Sequence, residues 1–578
     1  MQDSFTEEQQ QYVKGFFAGI DARGALLPNA EPADAAPPDA LRAAQKATMA
    51  AGGKLVPQEE VKAEKHPLDR WDELVGRADA GRFPKALEDF VGRYHGLFYV
   101  APAQDSFMCR LRIPGGILSP WQLRGIADIA EELGGGHADV TTRANLQIRE
   151  IGAAHGPEVV MRLGDLGLLP RGTGADNIRN ITASPTAGID AAELVDTRAV
   201  VRKLHHHIMN TRDLFALPRK FNIAFNGGGA VEVLEETNDI SFHAVRVLDG
   251  FGVPAGLYYR LNLGGITGHQ DFARETGVVV PLEDAVRVAD AVLRVFIAHG
   301  DRTDRKKARL KYLLDRWGLP KFITETEALL GAALPKVPAE ALAQGVHPAK
   351  HGHVGVHAQK QAGLFYVGVV TPLGRLSAAQ WRGVADIAGR ISGEIRLTVW
   401  QNFLLSGVPE ARVPEVVAAL AELGLSTKAS HIRGGLVACT GNAGCKFAAS
   451  NTKKHAAELA DYLDARLVMP HPINIHLTGC HNSCAQHYVG DIGLLGAKVE
   501  RGEELVEGYD LHVGGGAGVE QKIGRLIRPK VAHDELGPLV AGLLGTFLVQ
   551  RREGESFHQF CARHDEAALD AMLGESVA

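Results

Sequence analysis

Short apolar or alternating runs and longer stretches with helical spacing succeed one another along most of the chain. Residues 96–100, GLFYV, and the segments TTRANLQI (141–148) and TVWQNFLL (398–405) run apolar or alternate, which predicts strands. LSPWQLRGIADIAEELG (118–134) places its apolar residues on one helical face, and Ser119 stands where an N-cap belongs. LSAAQWRGVADIA (376–388) repeats that pattern, with Ser377 as the cap. Each half therefore reads as strand, helix, strand and then a second αβ unit.

The order of matches makes the body an internal duplication. Gly96-Leu97-Phe98-Tyr99-Val100 is matched to Gly363-Leu364-Phe365-Tyr366-Val367, and Thr141 and Asn145 to Thr398 and Asn402. Pro218, Asn222 and Gly227 match Pro470, Asn474 and Gly479. Gly264-Gly265 matches Gly514-Gly515, and Phe296 matches Phe547. Two similar α/β halves predict a pseudo-twofold molecule with a cleft between them, a natural place for a large cofactor. Before the repeats come a helical pattern over residues 4–20, an Ala/Pro-rich linker over about 23–57, and a charged helical stretch, HPLDRWDELVGRADAG. A Pro/Ala-rich piece near 331–349 joins the halves.

The 578 residues suffice for several domains, and 45% apolar with 22% charged residues is an ordinary globular balance. A net charge of -6 gives no bulk attraction for nucleic acid. No run of about 18 apolar residues predicts a membrane span. The N-terminus is acidic and polar where a signal peptide is basic and then apolar, so a cytoplasmic protein, acting as a monomer, is expected.

Four of the six cysteines lie within residues 439–484, as Cys439-x5-Cys445 and Cys480-x3-Cys484. Thiolates so spaced can surround an iron–sulfur cluster. Structural zinc usually takes Cys-x2-4-Cys, and a large core needs no disulfide staples. The first half holds none of these cysteines and presents polar and basic residues instead. Arg110, Arg143, Asn145, Gln147, Arg179, Arg219, Lys220 and Asn222 are the candidates, and Pro472 stands opposite Lys220 in the repeat. One half is specialised for a metal cluster and the other presents cations, which suits a small oxyanion. A Lys–anion pair at about 4 Å is worth ~4 kcal/mol at an effective dielectric near 20.

The motifs RLRIPGG, DVTTRANLQIR, DNIRN, LPRKFN, CTGNAGCKFA and TGCHNSCAQH, in this order, resemble those of the assimilatory siroheme-containing nitrite and sulfite reductases, above all the ferredoxin-dependent nitrite reductases. The resemblance spans roughly residues 65–575. It implies an α/β (α+β), internally duplicated fold. Residues 1–64 would be an N-terminal helix and Ala/Pro-rich linker, 65–165 a first ferredoxin-like half-domain with an N-terminal extension and 166–330 a first reductase domain carrying the anion site. After the linker 331–349, residues 350–425 would form a second half-domain and 426–578 a second reductase domain. It implies that Cys439, Cys445, Cys480 and Cys484 bind a [4Fe–4S] cluster, with Cys484 shared with the siroheme iron. Arg110, Arg179, Lys220 and Asn222 would hold the substrate anion; Arg143, Asn145, Gln147, Arg219 and Asn482 would contact siroheme and its carboxylates. The implied reaction is six-electron reduction of nitrite to ammonium, in nitrate and nitrite assimilation, with ferredoxin or a similar small donor. Nitrite enzymes of the family tend to carry Lys-x-Asn where sulfite enzymes carry Lys-x-Lys, and this chain reads Lys220-Phe221-Asn222. The Tyr–Cys crosslink of some sulfite-reducing relatives has no cysteine here in DNIRN. The alternatives are an assimilatory sulfite reductase, a relative from corrinoid synthesis, and a cluster protein that only carries electrons.

Other features read as structural. Cys109 and Cys561 are expected as packed core thiols. His205, His206 and His207 fall in a helical pattern and point different ways. The glycines at 514–516 and 518 are expected as a turn, since they lack GxGxxG spacing. The run RTDRKKARLK (302–311) is a candidate docking surface for an acidic donor, a solvated helix face, or a source of arginines for the cofactor.

Overall fold

The computed structural model describes residues 39–574, so the helix expected over residues 4–20 lies outside it. Four five-stranded sheets organise the described residues. In one, Leu97–Tyr99, Phe107–Arg110, Asn145–Ile151 and His137–Thr141 lie side by side. In another, Gly355–Ala358, Leu364–Val369, Phe403–Pro409 and Ile395–Leu397 repeat that order. Each takes its fifth strand from the other half. Arg375–Ser377 pairs with His137–Thr141, and Ile117–Leu118 pairs with Ile395–Leu397. The exchange covers an edge of each sheet and ties the two halves together across the expected pseudo-twofold.

The helices Pro120–Leu133 and Ala378–Arg390 pack on each other beside this exchange, with Arg382 donating to Asp128 at 2.6 Å. Both start at the expected serines. Ser119 and Ser377 accept from the amides of Gln122 and Gln380, whose side chains return the bond.

The other two sheets run Thr182–Ala183, Ile223–Asn226, Ile240–Val247, Gly256–Leu263, Arg274–Pro281 and Gly435–Ala438, Asn474–Thr478, Ile492–Arg501, Glu504–Val513, Arg525–Ala532. In both, the first three strands are parallel and the last two antiparallel. Ile223–Asn226 and Asn474–Thr478 are buried throughout, as central parallel strands are. Each fourth strand ends at a glycine pair. A Cβ on Gly265 would stand 2.3 Å from the Glu236 carbonyl oxygen, and one on Gly515 would stand 2.4 Å from that of Gly490. The glycines at 514–515 are therefore a turn under close backbone approach, as expected.

Several expectations need correction. GLFYV at 96–100 and 363–367 are not structural equivalents. Leu97–Tyr99 is an outer strand whose counterpart is Gly355–Ala358, while Leu364–Val369 fills the place of Phe107–Arg110. The short, buried strand Phe107–Arg110 has no alternation to reveal it. Part of the supposed linker over 23–57 is the helix Ala40–Ala50, which packs on Ala285–His299 and buries Leu41. Its face is mostly alanine, a weak apolar signal. The next helix, Pro57–Glu64, buries Glu59 and Lys62, and Glu59 pairs with Arg302 at 2.8 Å. The joining piece 331–349 is packed too: Lys336 bridges Val278 and Leu342 bridges Val247. Residues 302–309 form turns rather than a helix. Among the described residues no helix is long and apolar enough to cross a membrane.

Candidate active site

Cys439 and Cys480 follow the C-terminal ends of two adjacent parallel strands, Gly435–Ala438 and Asn474–Thr478. Ligands of open α/β sheets gather at such ends. The Gly479 amide donates to Cys439 Sγ at 3.2 Å, and Thr452 Oγ1 lies 3.5 Å from the same sulfur. A Cβ on Gly479 would lie 2.5 Å from the Ala448 Cβ, so glycine keeps this approach open. Ser483 and Gln486 take left-handed backbone, with φ 50° and 54°, on either side of Cys484.

All six cysteines are free thiols, and Cys109 and Cys561 are buried core residues as expected. Burial and then Cys439 push the Cys484 thiol up to about 12. Burial raises Cys480 too, while Asn482 pulls it back through its backbone and side chain. The thiols are thus electrostatic neighbours of one another. They do not converge on one point. Among the described residues, the one group of three or more ligand atoms within 4.8 Å of one another is His455, Glu458 and His533. Four thiolates on a single zinc stand about 3.8 Å apart, given Zn–S near 2.3 Å in a tetrahedron. The four thiols are spread more widely than one zinc takes, and four thiols are the donor set of an iron–sulfur cube.

Residues of the first half face Cys484. Thr142 Oγ1 donates to the Cys484 carbonyl at 2.8 Å, and Gln486 Nε2 donates to Thr237 Oγ1 at 2.9 Å. Arg110 and Lys220 are both electrostatic neighbours of Cys484. Cys484 keeps exposed surface although protein surrounds it deeply, so it lines an internal cleft. Arg110, Arg219 and Lys220 are half-buried beside it, and Asn222, two residues from Lys220, is half-buried too.

The cleft is crowded with positive charge. Burial and then Arg309 push Lys220 down to about 7, with Cys484 opposing. Burial lowers Arg110 to about 10, Arg219 to about 10 and Arg143 to about 9. Arg179 falls well below its usual value through burial and then Arg110. Two buried carboxylates answer part of this charge. Asp176 binds Arg305 at 2.7 and 2.8 Å, and Asp239 binds Arg309 at 2.6 and 3.2 Å. Arg302, Arg305 and Arg309 of the basic run therefore point inward to carboxylates, whereas Lys306 and Lys307 are exposed.

Each expected site residue has a definite place. Arg110 lies over the Phe98 ring, 4.5 Å from its centroid, and donates to the Thr173 carbonyl at 3.3 Å. Arg143 donates to Asn238 Oδ1 at 2.8 Å and to the Asn180 carbonyl at 3.0 Å. Arg179 donates to the Ala175 carbonyl at 2.9 Å, and Arg219 to that of Arg305 at 3.2 Å. The Asn222 amide donates to Asp239 at 2.8 Å. Gln147 accepts from Arg149 at 3.1 Å. Asn145 is buried and bonds the Leu111 carbonyl through Nδ2. Arg143 Nε, Arg179 Nη1 and Asn145 Oδ1 are buried without partners. Unanswered guanidinium donors around a cleft fit a polyanionic cofactor and a bound anion. Arg112 escaped the sequence reading. It is buried and donates to the carbonyls of Ile178, Arg179 and Arg171 at 2.7, 3.3 and 3.0 Å, which fixes the backbone that carries Arg179. Its place two residues after Arg110 in the run RLR was the available signal.

Comparison with known proteins identifies the family. The family "Nitrite and sulphite reductase 4Fe-4S domain" matches residues 174–334 and 432–568. The "Nitrite/Sulfite reductase ferredoxin-like half domain" matches residues 100–166 and 357–423. The ferredoxin–nitrite reductase of Synechococcus elongatus is 38% identical over 461 residues, covering 78% of this chain and 88% of its own. The chloroplastic ferredoxin–nitrite reductase of Zea mays is 35% identical over 517 residues, covering 85% and 89%. A sulfite reductase [ferredoxin] of Mycobacterium tuberculosis is 35% identical over 475 residues, covering 80% and 83%. The solved structure of the Mycobacterium tuberculosis NirA protein superimposes with a TM-score of 0.82 at 32% identity, over 89% of this chain and 97% of that one. With a four-cysteine centre, a cationic cleft and matches over most of its length, the chain belongs to the nitrite and sulfite reductase family of oxidoreductases.

Proposed function

We propose that this chain reduces nitrite to ammonium with electrons from ferredoxin or a similar small donor, in nitrate and nitrite assimilation. The observation that supports this reading is the crowding of Arg110, Arg179 and Lys220 beside Cys484, with Asn222 two residues from Lys220. Cys439, Cys445, Cys480 and Cys484 would hold the [4Fe–4S] cluster, and Arg143, Asn145, Gln147, Arg219 and Asn482 would hold siroheme. When bound, these groups would supply one-electron transfer and a Lewis-acidic iron.

The chain's own residues bind the anion and handle protons. Arg110, lowered only to about 10, stays charged at neutral pH, and Arg110 and Arg179 supply fixed N–H donors to anionic oxygens. Lys220, lowered to about 7, can hold a proton on Nζ near neutral pH and also release it, as a general acid must. Asn222 lies two residues along, where a second lysine would add a charge better matched to the sulfite dianion. Reduction of nitrite to ammonium takes six electrons and eight protons, so a proton donor that recharges at neutral pH suits it.

Sulfite reduction is the second reading, favoured by the 35% identity to the mycobacterial sulfite reductase. Initial rates with nitrite and sulfite, using one reduced donor, decide between them. A higher kcat/KM for nitrite, with ammonium as product, is expected; the reverse order overturns the proposal. Lys220→Met should lower turnover while the bound-siroheme spectrum stays intact.

A further inference from the structure

Two further cations, Arg149 and Lys453, lie within electrostatic reach of Cys445 and Cys439. Arg149 lies on the strand Asn145–Ile151 of the first half and is 3% exposed. Its Nη2 donates at 2.5 Å to the carbonyl of Gly444, the residue before Cys445. A Cβ on Gly444 would stand 2.8 Å from that nitrogen and 3.0 Å from Thr440, so the Cys439–Cys445 loop is shaped to receive the guanidinium. Cys445 lies within electrostatic reach of Arg149. Lys453, in the first turn of the helix Thr452–Asp464, donates through Nζ to the Leu373 carbonyl and lies within electrostatic reach of Cys439.

The carboxylate between these cations is already engaged. Asp139 takes two bonds from Arg375, at 2.8 and 2.9 Å. Glu150 is exposed, so water screens its charge. Among the described residues, neither Arg149 nor Lys453 has a carboxylate oxygen within salt-bridge distance, while Asp139 pairs with Arg375. The local balance beside Cys439 and Cys445 is therefore positive.

An iron–sulfur cube held by four thiolates is anionic and gains one more negative charge when it takes an electron. Buried cations next to it stabilise the reduced form more than the oxidised form, and local charge is a recognised determinant of cluster potential. We propose that Arg149 and Lys453 raise the reduction potential of the cluster from outside its ligand set, and that Arg149 also positions the Cys445 loop from the opposite half of the molecule. Both are positioning residues, since neither is a ligand. The inference rests on the cluster reading above.

The test uses holoenzyme carrying Arg149→Gln, Arg149→Lys or Lys453→Met. Iron is counted first, and each protein is then titrated with dithionite through mediators while the reduced cluster is followed by EPR. Arg149→Gln should lower the equilibrium constant for one-electron reduction about tenfold, which is 59 mV for n = 1. Arg149→Lys should stay within about threefold of the parent, and Lys453→Met should fall in the same direction as Arg149→Gln. A purely structural Arg149 would leave the potential unmoved: full iron and an unchanged potential in Arg149→Gln overturn the proposal. If Arg149→Gln loses its iron, Lys453→Met decides, a lowered potential upholding the proposal and an unchanged one overturning it. Parent protein without iron would instead defeat the cluster reading itself.

Discussion

Neutralising Asp239 tests how the anion site is held, and the duplication supplies the control. Asp239 is 1% exposed. Its carboxylate accepts from Arg309 at 2.6 and 3.2 Å and from the Asn222 amide at 2.8 Å. It thereby anchors the strand entry that carries Lys220 and Asn222. It also compensates Arg309, the strongest influence on Lys220 after burial. In the other half Asp491, also 1% exposed, accepts from the Asn474 amide at 2.7 Å and from Lys350 at 3.0 Å. The two losses differ in size. The Arg309 side chain is 5% exposed, so Asp239→Asn strands a buried guanidinium and should cost about 3–5 kcal/mol. The Lys350 side chain is 25% exposed and keeps Glu520 at 3.4 Å, so Asp491→Asn should cost about 1.5–3 kcal/mol, the range for one lost charged hydrogen bond. Only the first loss reaches the anion. Uncompensated Arg309 disfavours the proton on Lys220, and even about 1 kcal/mol of that effect raises the nitrite Kd about fivefold. Urea midpoints followed by circular dichroism, together with nitrite KM, measure both consequences. Equal midpoints for the two variants, or an equal rise in KM from Asp491→Asn, would refute the reasoning.

Three further outcomes are expected. Lys306→Glu with Lys307→Glu should raise KM for ferredoxin severalfold, more at low salt, and leave KM for a small dye donor unchanged, because both lysines are exposed while their arginine neighbours are paired internally. Phe98→Leu removes the ring under Arg110, a contact worth about 0.5–2 kcal/mol, so nitrite KM should rise between twofold and thirtyfold with little change in donor KM; an unchanged nitrite KM would show that the Thr173 carbonyl suffices to orient the guanidinium. The Asp176 carboxyl, which burial alone would raise, is held below its usual value by Lys62 and Arg305. A carboxyl so depressed lends stability that is complete above its unfolded value near 3.9 and is lost as pH falls below it. The parent protein should therefore lose stability more steeply than Asp176→Asn on acidification from about pH 4, and parallel acid-unfolding curves would contradict this.

What the sequence disclosed was local or repeated. The capping boxes at Ser119 and Ser377, the glycine pairs at strand ends and the cysteine spacing all depend on neighbours in the chain, and each stands where the pattern put it. What it hid depends on packing between distant segments. The exchanged strand Ile117–Leu118 has two residues, too few for any period. Arg305 and Arg309 look like surface charge in the sequence, and only the fold turns them toward Asp176 and Asp239. Arg149 sits 295 residues from the carbonyl it binds, and Thr142 sits 342 residues from its own. The false match of GLFYV was a resemblance of composition between two strands in different places.

Structural equivalence between the halves separates residues that the backbone requires from residues that the chemistry requires. Asp239 and Asp491 perform the same task, holding the amides of Asn222 and Asn474, so they belong to the scaffold. The cations do not recur. By sheet register, Cys109 and Ile148 face each other as Val367 and Leu405 do, so Arg110 corresponds to Gly368. A Cβ at Gly368 would lie 2.1 Å from the His353 carbonyl oxygen, so the second half has no room for an arginine there. The same register sets Arg143 opposite Trp400, which is buried and stacked on His353. The cysteines are equally one-sided. Ala183 pairs with Phe225 as Ala438 pairs with Leu477, so Ser184 and Gly228 occupy the places of Cys439 and Cys480. A side chain at Gly228 would meet the Ala244 carbonyl at 3.1 Å and Leu194 at 3.2 Å, so that corner is already filled. A duplicated scaffold offers two related clefts. This chain has closed one with backbone and aromatic packing, and the other draws its sulfurs from one half and its cations from the opposite half. Neither half alone carries the site, which is why the strand exchange that binds them together is part of the functional architecture.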